Sequence, residues 1–203
     1  LSAGKVTTLY TACDGRPLRG PNDIVFDRAG GFYFTDLAKW NDDVQELGAV
    51  FYAAADGSRI KAIRRGLLTP NGIGLSPDGQ VLYVAESLTA RLWAFDILSP
   101  GVVAGSVGQW KPARHVWSAH GLAIYDSLAV EAGGAVCVAT VIRGGIDVVS
   151  PDDASCDTLP LAAQMVTNLC FGGDDMRTAW ITASNTGQLL RCRWPRPGLK
   201  PAF

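Results

Sequence analysis

Residues 21–36 read PNDIVFDRAGGFYFTD, and three later segments repeat their pattern. Each segment opens with a small polar residue, continues with a short apolar run, turns at Gly or Asp, and ends in a second apolar run. The later segments are PNGIGLSPDGQVLYVAES (70–87), YDSLAVEAGGAVCVAT (125–140) and TNLCFGGDDMRTAWITA (167–183). Polar anchors fall at Asn22, Asn71, Asp126 and Asn168, in steps of 49, 55 and 42 residues. A period of about 40–55 residues with strand–turn–strand content is typical of β-propeller blades.

The chemistry within one segment supports hairpins. The β-rich runs 24–26 and 32–34 flank DRAGG, and a second pair of runs flanks SPDG at 76–79. Pro fixes φ near −65° and Gly accepts positive φ, so both connections are predicted to be turns. Further strands are predicted at 49–53, 91–96 and 145–149, which gives about four strands in a unit.

The sequence therefore predicts an all-β fold, a β-propeller with about four blades, in which residues 1–203 form one partial propeller domain. Helical periodicity is absent, and 23 Gly with 11 Pro would interrupt helices repeatedly. A β-sandwich or jelly roll is the alternative. It does not explain a polar anchor at the same place in four units. Four blades of an open ring would expose apolar faces and unpaired edges, so we expect self-association through these faces.

Composition limits the partners. A net charge of −1 gives no electrostatic reason to expect nucleic acid or an anionic membrane. No apolar run approaches the ~18 residues that span a bilayer. The N-terminal LSAGKVTTLY lacks the pattern of a secretory signal, and without an initiator Met we expect further residues upstream.

The five cysteines are odd in number and include no C-x-x-C pair, so they predict neither a zinc knuckle nor a disulfide framework. Cys137 and Cys170 lie in apolar runs, where a small buried hydrophobic residue is expected. This cysteine usage agrees with a reducing cytoplasm.

The motifs GPNDIV followed by GGFYFTD (20–36), TPNGIGLSPDG with LYVAE (69–86), and DSLAV (126–130) resemble those of a known family. This is the gluconolactonase, senescence-marker-protein and luciferin-regenerating-enzyme family. The tail CFGGDDMRT (170–178) resembles its last blade, so the resemblance covers nearly the whole chain.

The resemblance implies a six-bladed propeller of which two blades are missing at the N-terminal side. It also implies one divalent cation at the channel mouth and hydrolysis of a small sugar-acid lactone. By position, Asn71 and Asp126 resemble the metal ligands, and Asn22 resembles the residue that faces substrate. The family's Glu ligand would lie upstream of Leu1. Asp126 is also the implied general base and hence the catalytic residue.

Physical chemistry agrees with these roles. Polar residues at the start of each innermost strand converge on the channel axis. Amide and carboxylate oxygens suit Ca²⁺, which we expect first, or Mg²⁺ or Zn²⁺. Such a cation polarises a lactone carbonyl and acidifies bound water, whose proton a carboxylate accepts.

Each site residue also has a structural interpretation. Asn22 and Asn71 follow Pro, where they are common turn residues, and Asp126 could cap a turn. Their recurrence favours a site. Asp23 and Ser127 adjoin anchors and are candidates to orient the ligands.

Other polar residues are expected to be structural. For Asn168 we favour a structural role, because the family's last blade supplies no ligand there. Asp36 and Glu86 end their hairpins and are expected to hydrogen-bond between blades. His115 and His120 have an H-x₄-H spacing but no third ligand nearby, so ordinary loop histidines are expected.

Three functions stay open at this level. The first is a metal-dependent lactonase with a small-molecule lactone substrate. The second is a propeller that binds a ligand or a protein without catalysis. The third is an inactive truncated fragment that lacks the Glu ligand.

Overall fold

The computed structural model describes residue 4 and residues 6–105 and 113–202. A short hairpin opens the chain and consists of β1 (Ala12–Cys13) and β2 (Arg16–Pro17). The rest of the described chain forms four antiparallel sheets that follow one another in sequence. Blade 1 consists of β3 (Pro21–Phe26), β4 (Gly31–Asp36), β5 (Gly48–Ala54) and β6 (Ile60–Leu67).

Blade 2 contains β7 (Pro70–Leu75), β8 (Val81–Glu86) and β9 (Arg91–Ser99), and its outer position is shared by β10 (Val102–Val103) and β11 (Arg114–Ser118). Blade 3 contains β12 (Ile124–Val130), β13 (Val136–Val141), β14 (Ile146–Ser150) and β15 (Ser155–Leu159). Blade 4 has three strands: β16 (Val166–Gly172), β17 (Thr178–Ala183) and β18 (Gln188–Arg193).

The predicted all-β propeller is confirmed. Each of the four repeated segments forms the first two strands of one blade, in the order that the sequence indicates. Within the described residues the helical content is one 3₁₀ turn, Ser184–Thr186. A β-sandwich is excluded, because consecutive hairpins form separate sheets that pack in series.

Three apolar cores hold the blades together, one at each junction. Tyr33 and Val50 of blade 1 pack with Leu82 of blade 2. Residues of blade 2 such as Leu92 pack with Tyr125 of blade 3, and a third core joins blade 3 to blade 4. Burial of each large apolar side chain contributes about 1.5–3 kcal/mol, so these junctions fix the innermost strands beside one another.

The two terminal blades differ in how much of their outer face is covered. On blade 1, the N-terminal segment packs on the sheet: the Tyr10 hydroxyl donates to the carbonyls of Ala54 and Arg59, and Cys13 is buried beside Phe34. Part of the face that was expected to be open is therefore covered by the chain itself.

On blade 4, Leu189 is 64% exposed and Trp180 37% exposed. Innermost strand β3 also leaves Ile24 49% exposed. Uncovered apolar surface thus lies at both ends of the row of blades, and self-association through it stays a prediction.

The carboxylates that end two hairpins tie connecting segments to the sheets. Asp36 accepts hydrogen bonds from the backbone N–H groups of Arg19, Gly20 and Ala38 at 2.8–2.9 Å. Glu86 accepts one from Leu68 N at 2.6 Å, in the connection from blade 1 to blade 2. Glu86 also accepts from the side chains of Thr89 and Trp93. Glu86 thus ties the connection from blade 1 to its own blade 2. Among the described residues, the expected hydrogen bond between blades is not found for Asp36, because its partners lie beside its own blade.

Cysteine placement agrees with the sequence analysis in part. All five cysteines are free, and Cys137 is buried as expected. The expectation is wrong for Cys170, which is exposed. Its strand, β16, alternates sides, and Cys170 lies on the side opposite to Leu169, away from the core shared with blade 3.

No helix that the structure describes is long and apolar enough to cross a membrane.

Candidate functional site

The polar anchors of blades 1–3 lie in β-bulges of the innermost strands. In blade 1 the ladder pairs Pro21 with Asp36 and then Ile24 with Phe34, so two residues of β3 oppose one of β4. The same irregularity recurs in the other two blades. A bulge breaks the alternation of a strand and re-aims its side chains. The bulged pairs are Asn22–Asp23, Asn71–Gly72 and Asp126–Ser127.

In blade 4 the anchor lies one residue before the position that the repeat pattern predicts. Its ladder pairs Val166 with Ala183 and Asn168 with Thr182, so Thr167 is the unpaired residue. Thr167 therefore occupies the anchor position that the repeat pattern gave to Asn168. Asn168 instead corresponds to Ser127 in blade 3. In blade 4, Val166 stands where Pro or Tyr precedes the anchor in the other blades. The sequence therefore offered no sign that the anchor is Thr167 and not Asn168.

Gly72 lets blades 2 and 3 approach each other at the site. A Cβ atom at this position would lie 2.6 Å from the Asp126 carbonyl oxygen and 2.7 Å from the Leu128 nitrogen. Backbone atoms cannot yield to a contact this short. The glycine in the PNG motif therefore allows Asn71 and Asp126 to meet across the blade junction.

Asn71 is buried and held from two directions. Its backbone carbonyl accepts a hydrogen bond from the Thr35 hydroxyl at 2.6 Å, and its Nδ2 donates to the Ser87 hydroxyl at 3.1 Å. Its Oδ1 atom is buried and has no hydrogen-bond partner among the described residues. A buried amide oxygen without a partner is costly unless something binds it, so Asn71 Oδ1 is the strongest candidate ligand atom in the site.

Asp126 lies beside this amide. Burial raises the pKa of the Asp126 carboxyl above its ordinary value, and the nearby charge of Asp23 raises it further. Hydrogen bonds from the Asn71 side chain and the Ser127 backbone lower it. The net effect is a more basic carboxylate than usual, next to an unpaired acceptor oxygen.

Asp23 joins three blades. Its carboxylate accepts hydrogen bonds from Ile24 N at 2.8 Å in its own strand and from Ile73 N at 3.3 Å in blade 2. The Ser127 hydroxyl of blade 3 also bonds to it. Burial raises the pKa of the Asp23 carboxyl, and these three hydrogen bonds lower it.

Thr35 and Ser87 complete the arrangement, and the sequence analysis missed both. Thr35 is fully buried and also accepts a hydrogen bond from Asp23 N at 3.1 Å, so it links the anchors of blades 1 and 2. Each residue adjoins the carboxylate that ends its hairpin. A small hydroxyl residue at that place in two units was the available signal.

A cleft of about 570 Å³ opens beside Asp126. Asn22 and Ser127 line it on one side and blade 4 on the other. Asn22 is exposed, and its side chain has no hydrogen-bond partner in the described part of the chain. The structure thus brings Asn22 and Asp126 to one cleft, while Asn71 lies buried behind Asp126.

A second cavity, of about 550 Å³, lies on the other side of the bulges. Its lining is mainly apolar and includes Phe26, Leu75, Val130 and Phe171. Asp23 lines this cavity and not the polar cleft, whereas Asn168 lines both.

Two other buried carboxylates are already satisfied. Asp147 binds Arg143, the Tyr125 hydroxyl and the Thr158 hydroxyl at 2.6–3.0 Å. Glu131 binds Arg196 and accepts from Trp194 Nε1 at 2.7 Å. Charges paired in this way are structural and carry no site.

The histidines are structural as well. His115 lies in strand β11, not in a loop, with its Nε2 2.8 Å from the Ser118 hydroxyl and its ring against Trp93. The His120 ring packs against Trp117. In residues 4, 6–105 and 113–202 no three His, Cys, Asp or Glu side chains form a metal cluster.

The predicted ligands nevertheless fit a hard divalent cation in part. Asn71 Oδ1 and the Asp126 carboxylate are the oxygen types that Ca²⁺ prefers, and the unpaired amide oxygen is the observation that supports binding. Six to eight ligands are usual for Ca²⁺, so two protein oxygens would be completed by water or other donors.

Fold and site together define a β-propeller with a polar mouth built on strand bulges, where amide and carboxylate oxygens from consecutive blades meet. Residues 1–185 match the family model described as SMP-30/Gluconolactonase/LRE-like region, and the chain belongs to this family.

The chain is 31% identical over 190 residues to a gluconolactonase of Zymomonas mobilis. The matched region covers 88% of this chain and 52% of that protein. A solved gluconolactonase from Xanthomonas campestris has a TM-score of 0.74 and 23% identity over 94% of this chain and 62% of its own. A calcium-binding protein, regucalcin, from Agrobacterium tumefaciens has a TM-score of 0.70 and 17% identity over 89% of this chain and 64% of its own. The chain thus spans about half the length of the Zymomonas relative.

Proposed function

We propose that the chain is a metal-dependent hydrolase that opens a small sugar-acid lactone, with Asp126 as catalytic residue. The observation that carries this proposal is the buried, unpaired Asn71 Oδ1 beside the Asp126 carboxylate. Membership of the gluconolactonase family and the similarity to the Zymomonas gluconolactonase support the choice of substrate class.

Asn71 and Asp126 would hold the cation, and Ca²⁺ is the first candidate because a regucalcin described as calcium-binding shares the fold. When bound, a divalent cation polarises a carbonyl oxygen and lowers the pKa of bound water. Other side chains hold the ligand residues in position. Ser87 and Thr35 hold Asn71, and Asp23 and Ser127 hold the bulges next to Asp126.

Asp126 is suited to act as general base. Its carboxylate lines the cleft, so a water molecule there can reach it. Burial raises its pKa, which makes the carboxylate a better proton acceptor near neutral pH. Asn22 faces the same cleft with an unpaired amide and would orient the lactone.

Five cysteines without a disulfide support the cytoplasm as the compartment, where thiols stay reduced.

The test is hydrolysis of glucono-δ-lactone, followed by acid release and corrected for the spontaneous reaction. It is run with Ca²⁺, Mg²⁺ or Zn²⁺ and with EDTA. Asp126→Asn keeps the shape and an oxygen but removes the base, and Asn71→Leu removes the unpaired oxygen. Asp42→Asn, in an exposed loop, is the matched control.

We expect EDTA to abolish turnover, and we expect Asp126→Asn and Asn71→Leu each to lower it at least a hundredfold. The Asp42→Asn control should keep wild-type turnover. No lactone hydrolysis by a folded chain with any of the three cations would overturn the proposal. Turnover that survives EDTA would overturn its metal dependence.

A further inference from the structure

We propose that blade 4 supplies a subsite for the hydroxyl groups of the substrate ring, formed by Asn168, Thr182, Ser184 and Gln188. This inference rests on the proposed function and adds the residues that select a polyhydroxylated lactone. It gives Asn168 a binding role, where the sequence analysis favoured a structural one.

The first argument is position. These residues line the cleft of about 570 Å³ whose opposite side carries Asn22, Asp126 and Ser127. Asn168 pairs with Thr182 across β16 and β17, so their side chains lie together on one face of the sheet. Gln188 begins β18 opposite Ala183, and Ser184 starts the turn between those strands. The catalytic carboxylate and the blade 4 residues thus share one cleft.

The second argument is chemical type. Apart from Asp126, the polar side chains that line the cleft are uncharged amides and hydroxyls, and no large apolar side chain lines it. The cavity of about 550 Å³ is more apolar, because Phe26, Leu75 and Phe171 line it, although charged side chains and Asn168 line it as well. A neutral ligand with many hydroxyl groups matches the cleft, and an alkyl chain matches it poorly.

The third argument is unused hydrogen-bonding capacity. The Asn168 side chain is exposed and, like that of Asn22, has no partner among the described residues. The Gln188 Oε1 atom accepts a hydrogen bond from the Thr186 hydroxyl at 2.9 Å. This bond does not use the N–H donors of the Gln188 amide. An amide group offers two donors and one acceptor, the complement of a hydroxyl, which is both.

Part of the wall is already held in place. The Thr167 and Thr182 hydroxyls lie 2.9 Å apart and hydrogen-bond to each other, and the Ser184 hydroxyl donates to the Met165 carbonyl at 3.3 Å. Each hydroxyl oxygen keeps further acceptor capacity after these bonds. A wall fixed in this way orients a ring without much ordering of its own side chains on binding.

Such a wall discriminates between lactones. A site built to hydrogen-bond substrate hydroxyls rejects an analogue that lacks them, because its polar groups lose their water without gaining partners. The chain should therefore prefer glucono-δ-lactone to an alkyl δ-lactone of the same ring size.

The experiment compares these two lactones for the wild-type chain, Asn168→Leu and Thr182→Val, with Thr8→Val as an exposed control. We expect KM for glucono-δ-lactone to rise about threefold to tenfold for each lost hydrogen bond, with kcat little changed. Kinetics with the alkyl lactone and with the control should stay as in wild type. Unchanged KM in both variants, or equal losses with both lactones, would overturn the subsite.

A second readout separates this subsite from the proposed function. Binding of gluconate, which is not hydrolysed, is measured by saturation-transfer NMR in EDTA. If wild type binds gluconate and Asn168→Leu does not, the subsite is supported even when no lactone is turned over. If lactone turnover is present but gluconate binding is the same in wild type and both variants, the subsite is wrong and the lactonase stands.

Discussion

The Ser87 hydroxyl accepts a hydrogen bond from Asn71 Nδ2 at 3.1 Å, and this contact orients the buried amide together with the hydrogen bond from the Asn71 side chain to Asp126. With the nitrogen donating to these groups, the oxygen is left as the free acceptor. Ser87 is therefore a positioning residue, because it acts through Asn71.

Ser87→Ala should weaken Ca²⁺ binding about threefold to tenfold, because the amide loses the hydrogen bond that orients it. Ser87→Thr keeps the hydroxyl and should restore most of the affinity. The measurement is Ca²⁺ titration by calorimetry on the chain after EDTA treatment and dialysis. Equal affinity in Ser87→Ala and wild type would show that the contact does not position the amide.

Thr35→Val should destabilise the fold by about 1–3 kcal/mol, since it removes a buried hydroxyl that bonds both Asn71 O and Asp23 N. The shape of the side chain is kept, so the loss reports the hydrogen bonds. Urea unfolding followed by fluorescence gives the free energy. Thr8→Val, on an exposed segment, should change it by less than about 0.5 kcal/mol. Similar small changes in both variants would contradict the role of Thr35.

Gly72→Ala should separate blades 2 and 3 at the site, because the new methyl group would lie 2.6 Å from the Asp126 carbonyl oxygen. We expect a loss of about 1–3 kcal/mol in the free energy of unfolding, as for other overpacked sites, together with loss of Ca²⁺ binding. Gly133→Ala is the matched control, because a Cβ there meets nothing within 4 Å. Retention of stability and binding in Gly72→Ala would show that the close approach is not required.

Thiol labelling should distinguish the cysteines. Burial, with the nearby Asp147 charge, raises the pKa of Cys156 from 9.0 to about 12. Because the thiolate is the reactive form, raising the pKa lowers reactivity at a given pH. At pH 9 only about one Cys156 in a thousand would be ionised, and labelling should rise tenfold per pH unit until about pH 12.

Iodoacetamide labelling followed by peptide mass spectrometry tests this order. Exposed Cys170 should be modified first and buried Cys137 last, because burial raises the pKa of Cys137 well above its ordinary value. Labelling of Cys156 ahead of Cys170 at pH 8 would contradict the prediction.

Self-association should depend on the open face of blade 4. Leu189→Lys places a charge on a side chain that is 64% exposed, so it should lower the solution mass if blades pack face to face. Light scattering after size-exclusion chromatography measures the mass over a range of concentrations. A wild-type chain that is a monodisperse monomer with a sharp thermal transition would rule out the association.

Much of the fold was predictable from the repeat, because hairpin chemistry and blade period are local properties. PNDIVF and GFYFTD form β3 and β4, as their β-rich runs on either side of a Gly-containing turn predict. The polar cleft was predictable to the extent that Asn22 and Asp126 start innermost strands. Cys170 shows the limit: an apolar run predicts a strand but not which face has a neighbour.

The contacts that position the site were not predictable, because they join residues that are distant in sequence. Thr35 meets Asn71 across 36 positions, and Ser127 reaches Asp23 from another blade. Such pairs depend on how blades stack, which a single sequence does not encode locally. The offset at Thr167 has the same origin, since only the register with β17 shows which residue is unpaired.

The bulges have an evolutionary consequence. Residues within them form no part of the regular ladder, so bulge residues other than the closely packed Gly72 can be exchanged while the pairing on either side stays intact. The mouth can therefore acquire new chemistry one blade at a time by substitution. Deletion of a bulged residue is a different matter: without Asn71, Gly72 would oppose Ala85 alone, the ladder would become regular, and the re-aiming of side chains at the bulge would be lost. Such a scaffold tolerates substitutions at its active positions and resists changes in their number.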